Sequence, residues 1–582
     1  MALVSIQLKA QYELYVEVDA AGTLEEVVNG ISEDCKYTTA SMKVIGPING
    51  HDMMFIRDMC GVKDVSTPTP GKLEILDISD ATMEETTDAY LTVNGVDYSS
   101  HEYAFCSFYL YNCQHLKEVF LPENINHIDT MAFANCKQLR YLEIPESVER
   151  LGYGAFVGCD SIETMVVPNS VLELEDGVFQ QMENLQVIYL SDSITHIDNS
   201  IFLNDNNLSY VALGRSLREF NPVVFYNSPS LAFIEVSGAN PYYTSVEGVM
   251  FSHGMDSLVV FPPAYEKENY EVPEGVTRIS KSAFCNAGLL KGVVLPSTVT
   301  LIDSMAFFNC KSLADVQLNE GLTRMGFGAF GMPEGATAAL QALRLPSTLT
   351  DIEGGAFLLH PSLASFEIAD GNPRYTADEQ GLLYSDQKKV LSFVPSMTAQ
   401  LKMPDSVVEI GPYAFAGVQN LPLIVLGDQV TTIGDGAFAF ANGTYQITLG
   451  KSTQKIGNLI VDYCRTLSTV YLFADKMEDS DIQEYAFFDE SGHVAAQTLL
   501  YVLPGHTDYY SNKKGFAASQ PPASFFAGIR EISDPDAIPG VIAVDSPSEH
   551  VFGIDGREMR SMERGVNVVR LPDGRSYKYL VK

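Results

Sequence analysis

Apolar positions along this chain recur with a period of 23 residues. Phe133, Phe156, Phe179, Phe202 and Phe225 are evenly spaced; Phe284, Phe307 and Phe330 repeat the step, and Phe415 and Phe438 do so again. Leu139, Ile162, Leu185, Leu208 and Leu231 form a second column in the same phase, and Ile144, Val167, Leu190, Leu213 and Val236 a third. A fourth column is Ile128, Leu151, Leu174, Ile197 and Phe220. Several columns held in register through five turns mark a repeat architecture. Inside one unit, Leu139-Arg140-Tyr141-Leu142-Glu143-Ile144-Pro145 alternates apolar and polar residues, which predicts a short strand with one buried face. Pro145 ends it, because proline has no N–H for a ladder. Val148–Leu151 predicts a second extended stretch, and Gly154-Ala155-Phe156 an inward turn at an irregular or briefly helical corner. A unit this short cannot bury its own apolar residues, but stacked units share one continuous core. The fold class expected is therefore a repeat solenoid of short β-strands.

Two interruptions are copies of one another, at 237–275 and 369–405. Asn240-Pro241-Tyr242-Tyr243-Thr244 matches Asn372-Pro373-Arg374-Tyr375-Thr376, and Gly248-Val249-Met250-Phe251-Ser252 matches Gly381-Leu382-Leu383-Tyr384-Ser385. Leu258–Pro262 matches Leu391–Pro395. Each is expected to be an expanded coil carrying an extra hairpin. Two smaller departures are Val461, which replaces the column phenylalanine, and the stretch 331–340, which lengthens one coil from 23 to 27 residues.

The unit I-x-x-x-A-F-x-x-C-x-x-L-x-x-(V/L)-x-(I/L)-P resembles the BspA-type leucine-rich repeat found on bacterial surface proteins. It is carried by Ile128, Ala132, Phe133, Cys136, Leu139, Leu142, Ile144 and Pro145, and again from Ile302 to Leu318. The N-P-x-Y insertion is similar to one in the same proteins. The resemblance implies a leucine-rich-repeat solenoid over 99–475, exported or at the cell surface of a host-associated bacterium. It also implies a role in adhesion or in recognising host or bacterial macromolecules.

Solenoids need covered ends, since terminal coils expose core and strand edges. Residues 1–98 lack the phenylalanine column but contain Met42–Gly46 and Leu73–Ile78, expected as irregular opening coils, and Gly50–Met59, expected as a short amphipathic helix. With Gly22-Thr23-Leu24 and Ile48-Asn49-Gly50-His51-Asp52 as the matching residues, this N-terminal capping region resembles the opening region of Bacteroides-type surface repeat proteins. A C-terminal cap is expected over 476–535, with Leu499–Gly505 as a closing strand and Phe525–Ile529 sealing the last coil. Residues 536–582 read as a small β module with Asp555-Gly556 and Asp573-Gly574 turns. It resembles C-terminal modules of exported proteins, and a plain capping hairpin is the alternative.

Composition narrows the function. With 37 Lys+Arg against 74 Asp+Glu the net charge is −37, a field that repels phosphate backbones and argues against nucleic-acid partners. No apolar run is long enough to span a bilayer. Met1–Leu8 is too short for a signal-peptide apolar region, so an export signal is not visible: either there is none, or the chain is a trimmed mature form. The nine cysteines are sparse and show no C-x-x-C or zinc spacing. Cys113, Cys136 and Cys159 share one phase and are expected to line a coil corner. No nucleophile elbow, H-E-x-x-H, P-loop or dinucleotide turn occurs, so no catalytic residue, cofactor or metal is assigned. His127 and His196 lie on one column, three coils and about 14 Å apart by strand spacing, too far to share a metal. They are expected on a solvated polar strand face.

What remains is the outward side of the strands. One ladder runs Phe120, Glu143, Val166, Tyr189, Ala212 and Glu235; its neighbour runs Glu118, Tyr141, Thr164, Val187, Tyr210 and Phe233. Outward aromatics among carboxylates suit protein or glycan binding, because they bury area with little entropy lost; strand propensity alone is the competing explanation. The candidate binding residues are Phe120, Tyr141, Glu143, Tyr189, Tyr210, Phe233 and Glu235. The partner expected is a host-matrix or bacterial-surface protein, or a glycan. A structural spacer without a ligand, and a polysaccharide-binding accessory shaped by the paired insertions, remain open alternatives.

Overall fold

A computed structural model describes residues 13–197, 201–393, 401, 403–478, 481–511, 513, 516 and 526–532, together with the backbone of strands 550–553, 558–559, 565–570 and 576–581. A typical coil contributes two short strands and a turn, and within runs of coils each of the three stacks on its counterpart in the next. The outer strands form parallel ladders in which Thr164, Val187, Tyr210 and Phe233 stand side by side, as do Val166, Tyr189, Ala212 and Glu235. The second strands pair likewise, with Phe105, Ile128, Leu151 and Leu174 in one row. At the third side the corner amides bridge coils directly: Phe133 N–H donates to Ala155 O at 2.9 Å and Phe156 N–H to Val178 O at 3.0 Å.

The strands are shorter than the alternation predicts. The stretch expected as a strand from Leu139 holds strand geometry only at Tyr141–Leu142, and Val148–Leu151 only at Arg150–Leu151. The tight corners explain this, since they use most of a 23-residue coil. They are turns, with a 3₁₀ segment at Pro222–Phe225. Two corner positions flanking the Ala-Phe pair take left-handed backbone, filled by Met131 and Asn135 in one coil and by Gly154 and Gly158 in the next. Left-handed φ costs a non-glycine residue roughly 1–2 kcal/mol, so the corner persists on stacking and not on local preference.

The phenylalanine column is the spine. Phe105, Phe133, Phe156, Phe179, Phe202 and Phe225 stack face to face, with ring centroids 4.8, 5.4, 5.9, 6.0 and 5.7 Å apart. Within the first insertion the stack resumes at Phe261, then continues through Phe284, Phe307, Phe330 and Phe357. Val461 keeps the column buried where the ring is missing. The lengthened coil is absorbed without loss of register, as Arg324 and Asp351 still pair.

Both insertions are hairpins that rejoin the second-strand ladder: Tyr243–Val246, Val249–Ser252 and Ser257–Val260 in the first, Tyr375–Ala377, Leu382–Ser385 and Lys389–Phe393 in the second. Their shared Asn has a full set of partners. Asn240 Nδ2 donates to Gly214 O and Leu217 O at 2.9 Å, while its Oδ1 accepts from Tyr242 N at 2.8 Å and Tyr243 N at 2.9 Å. Asn372 repeats the arrangement with Pro346, Leu349, Arg374 and Tyr375. The motif tyrosines bond back to the preceding coil, Tyr243 Oη to Arg218 O and Tyr375 Oη to Thr350 O.

At the N-terminal end, Leu14–Glu17, Ser41–Ile48 and Ile75–Asp77 extend the outer sheet in parallel as far as Glu118–Phe120. Helix Gly50–Met59 forms where expected, but it is buried almost all round and is not a surface amphipathic element. Asn49 caps it, and Asp52 accepts from Asn49 N, Gly22 N and Leu24 N, which ties a second helix, Leu24–Ile31, against it. At the other end Leu499–Val502 and Gly528–Glu531 continue the outer sheet beyond Thr469–Leu472, and Phe526 is buried against Phe487. Strands 550–553, 558–559, 565–570 and 576–581 form a four-stranded antiparallel sheet. Met1–Leu8, Phe525 and the two Asp-Gly turns lie outside the described residues.

Candidate functional site

Because the strands are pleated, residues that alternate with the buried column face water. Tyr141, Tyr189 and Phe233 are exposed, and Phe120 and Tyr210 half-buried. Three of these rings make one continuous row: Tyr189 and Tyr210 centroids lie 5.7 Å apart, and Tyr210 and Phe233 are parallel at 5.8 Å. Phe120 and Tyr141 make a separate pair at 5.5 Å. The two groups do not join, since Thr164 and Val166 occupy the intervening strand.

The carboxylates sit beside the rings. Tyr210 Oη donates to Glu235, and Tyr141 Oη to Glu143 Oε2 at 3.4 Å. Partial burial, and then the Glu235 carboxylate it donates to, hold the Tyr210 phenol above its usual range. Phe233 is backed from the first insertion, where a Cβ on Gly248 would meet its ring at 2.6 Å. Gly248 also has a positive φ of 86°. The hairpin turn therefore fixes the end of the aromatic row. All seven candidate residues lie on the outward side of the same coils; the structure brings five into two contacting groups and places Glu143 and Glu235 at their edges.

Sequence columns missed a further aromatic group near the C-terminal end. Tyr471 and Tyr501 stack at 5.0 Å, and Tyr471 and Phe473 lie 6.3 Å apart. The spacing between their strands is 30 residues and not 23, which hid the pair from a fixed-period search.

The other candidates resolve into structural roles. Cys136, Cys159, Cys310 and Cys464 each donate Sγ–H to a carbonyl 26 residues earlier, at 2.9, 3.2, 3.0 and 3.0 Å. Burial pushes the Cys464 thiol up to about 12. Asp205 occupies the same column, fully buried, with Met182 N donating to one oxygen at 2.8 Å; burial raises its carboxyl to about 8. Arg57 is fully buried and Nη1 donates to Phe108 O at 3.0 Å. Burial alone would raise the nearby Cys113 thiol, but its contacts with Cys136 and Cys60 and the Arg57 charge bring it well below its usual range. These groups are buried and serve the core.

His127 is half-buried, with Nδ1 2.6 Å from Asn126 Oδ1, and His196 is exposed. Their column forms a charged face, with Arg150 between Asp129 at 3.2 Å and Glu175 at 3.1 Å. Among the described residues no group of three metal-ligating side chains comes together, and no helix is long and apolar enough to cross a membrane.

The family model for the BspA type leucine rich repeat region matches residues 103–232, 261–376 and 392–494, more than half of the chain. The chain belongs to this family. Among solved structures, the BspA-type chain is similar to the pneumococcal vaccine antigen PcpA, with 15% identity over 84% of this chain and 89% of that one and a TM-score of 0.38. It is similar to a leucine-rich repeat protein from Eubacterium ventriosum, with 20% identity over 64% and 83% and a TM-score of 0.38. A leucine rich cell surface protein from Faecalibacterium prausnitzii shows 18% identity over 79% and 87%, with a TM-score of 0.34. No curated protein matches the sequence.

Proposed function

We propose that this BspA-type protein is a non-catalytic recognition protein, secreted or held at a bacterial surface, that adheres to a host-matrix or bacterial-surface protein through the outward strand face of its first coils. The observation that carries the reading is the row Tyr189–Tyr210–Phe233, aromatic rings kept at water on a rigid sheet beside Glu235. Such rings have little side-chain entropy left to lose on docking. Phe120, Tyr141 and Glu143 add a second contact area on the same face, and several weak contacts on one stiff support add through multivalency. The −37 net charge favours partners with basic surfaces.

The test is a Tyr141→Ser, Tyr189→Ser, Tyr210→Ser, Phe233→Ser quadruple variant, assayed by surface plasmon resonance against a panel of matrix and bacterial-surface proteins. Binding lost with the melting temperature held within a few degrees supports the reading. Retention of every partner, or the absence of any partner for the wild-type chain, refutes it and leaves the spacer function.

A further inference from the structure

The first insertion overhangs the strand face that follows it. The hairpin turn at Glu247, with Tyr265 and Lys267, walls one side of a groove of about 500 Å³ whose floor is the next three outer strands. Those strands are in register, so Asn269, Gly292 and Asp315 form one row and Glu271, Val294 and Gln317 the other. The volume falls within the range of small-ligand sites, roughly 300–1,000 Å³.

The floor is built of groups with mixed hydrogen-bonding character. Asn269 and Gln317 offer amide donors and acceptors, and Glu271 and Asp315 offer acceptors; all four side chains are exposed. Gln317 Nε2 donates to Asp315 Oδ2 at 3.3 Å, which orients that pair. Gly292 is what opens the centre: a Cβ there would lie 2.4 Å from Asn269 Oδ1, so any side chain would displace the amide and fill the space between Asn269 and Asp315. Val294, 36% exposed, leaves an apolar ledge beside it. On the wall, Glu247 is already engaged by Lys267 and by Tyr265 Oη at 3.3 Å, which holds its carboxyl below the usual range.

This chemistry selects among ligands. Phosphate, sulfate and uronate groups would meet Glu271 and Asp315 and be repelled. A bare cation wants acceptors only, while Asn269 and Gln317 also present N–H groups. A sugar hydroxyl both donates and accepts, and a sugar ring has a C–H face for Val294. We propose that the groove is a binding site for a short neutral oligosaccharide, distinct from the aromatic row, whose Phe233 backs its hairpin wall from the other side.

The test is a screen of the full chain against immobilised neutral, sialylated and sulfated oligosaccharides and a Lys-rich peptide, followed by calorimetric titration of the neutral oligosaccharides retained. Wild-type protein is expected to retain neutral oligosaccharides. An Asn269→Ala, Gln317→Ala double variant weakens binding at least tenfold, Gly292→Leu abolishes it, and a Tyr141→Ser, Tyr189→Ser variant, which leaves Phe233 against the hairpin turn, binds as wild type. The double variant alters only exposed side chains, so the test stands if Gly292→Leu does not fold. Retention of no neutral oligosaccharide, undiminished affinity in the Asn269→Ala, Gln317→Ala variant, loss in the Tyr141→Ser, Tyr189→Ser variant, or retention of the Lys-rich peptide alone overturns the proposal.

Discussion

Two runs of coils have matching phenylalanine spines and wear different faces. From Glu118–Phe120 to Phe233–Val236 the outward rows carry Phe120, Tyr141, Tyr189, Tyr210 and Phe233. From Asn269–Glu271 to Ser365–Ile368 the same rows carry Asn269, Gly292, Asp315, Ala342 and Ser365, then Glu271, Val294, Gln317, Arg344 and Glu367. Beneath them the phenylalanine spacing hardly differs, 4.8–6.0 Å in the first run and 4.7–6.3 Å in the second. Inward positions must match their neighbours above and below, so they repeat. Outward positions are free of that packing constraint and can diverge, which is where recognition can be written.

Breaking the shared element tests the sameness first. Phe156→Ala and Phe307→Ala remove equivalent buried rings, and each is expected to cost about 4 kcal/mol, read from denaturation midpoints. Unequal losses would mean that the two spines are packed differently. At the junction between the runs, Asn240→Ala leaves two carbonyls and two amides without their partner, for an expected loss of about 3 kcal/mol; Asn372→Ala should match it.

Asp205 sharpens the comparison from inside the first run. Its carboxyl is raised, so the folded state holds a proton that the unfolded chain has released, and stability falls as pH rises from about 4 to 8. Cys136, Cys159 and Ser228 at equivalent positions donate to the preceding coil, as a protonated Asp205 or an asparagine can. Asp205→Asn is therefore expected to leave the melting temperature unchanged near pH 4 and to raise it at pH 8. A gain independent of pH would contradict the buried-acid account.

The faces themselves are expected to be nearly silent in stability. Tyr189→Ser loses a cross-strand ring contact for under about 1 kcal/mol, and Asp315→Tyr, which carries an aromatic onto the polar run, changes stability by about 0.5 kcal/mol or less. Thermal melts of the two variants check this. A large loss at Tyr189 would return the aromatic row to a structural role.

Legibility in the sequence followed the same division. Buried columns repeat at one period, so Phe133, Leu139 and Ile144 announced both the solenoid and which residues face outward, and five of the seven candidate residues do make ring contacts there. Phe261 obeys the period too, but the neighbouring columns lapse around it, so the pattern places it within the insertion. Strand lengths were overestimated, since apolar alternation continues into Ile144 although its backbone has left the ladder.

By itself the sequence determined the stacking, the spine, the paired insertions and the outward ladders, all consequences of contacts that recur one period away. Only the tertiary structure decided where the aromatic row ends, how Tyr471 meets Tyr501 across a coil of irregular length, and that Glu247 overhangs Gly292. Those meetings join residues at separations no period links. They arise from the path of a turn through space, which a repeating pattern of apolar residues does not encode.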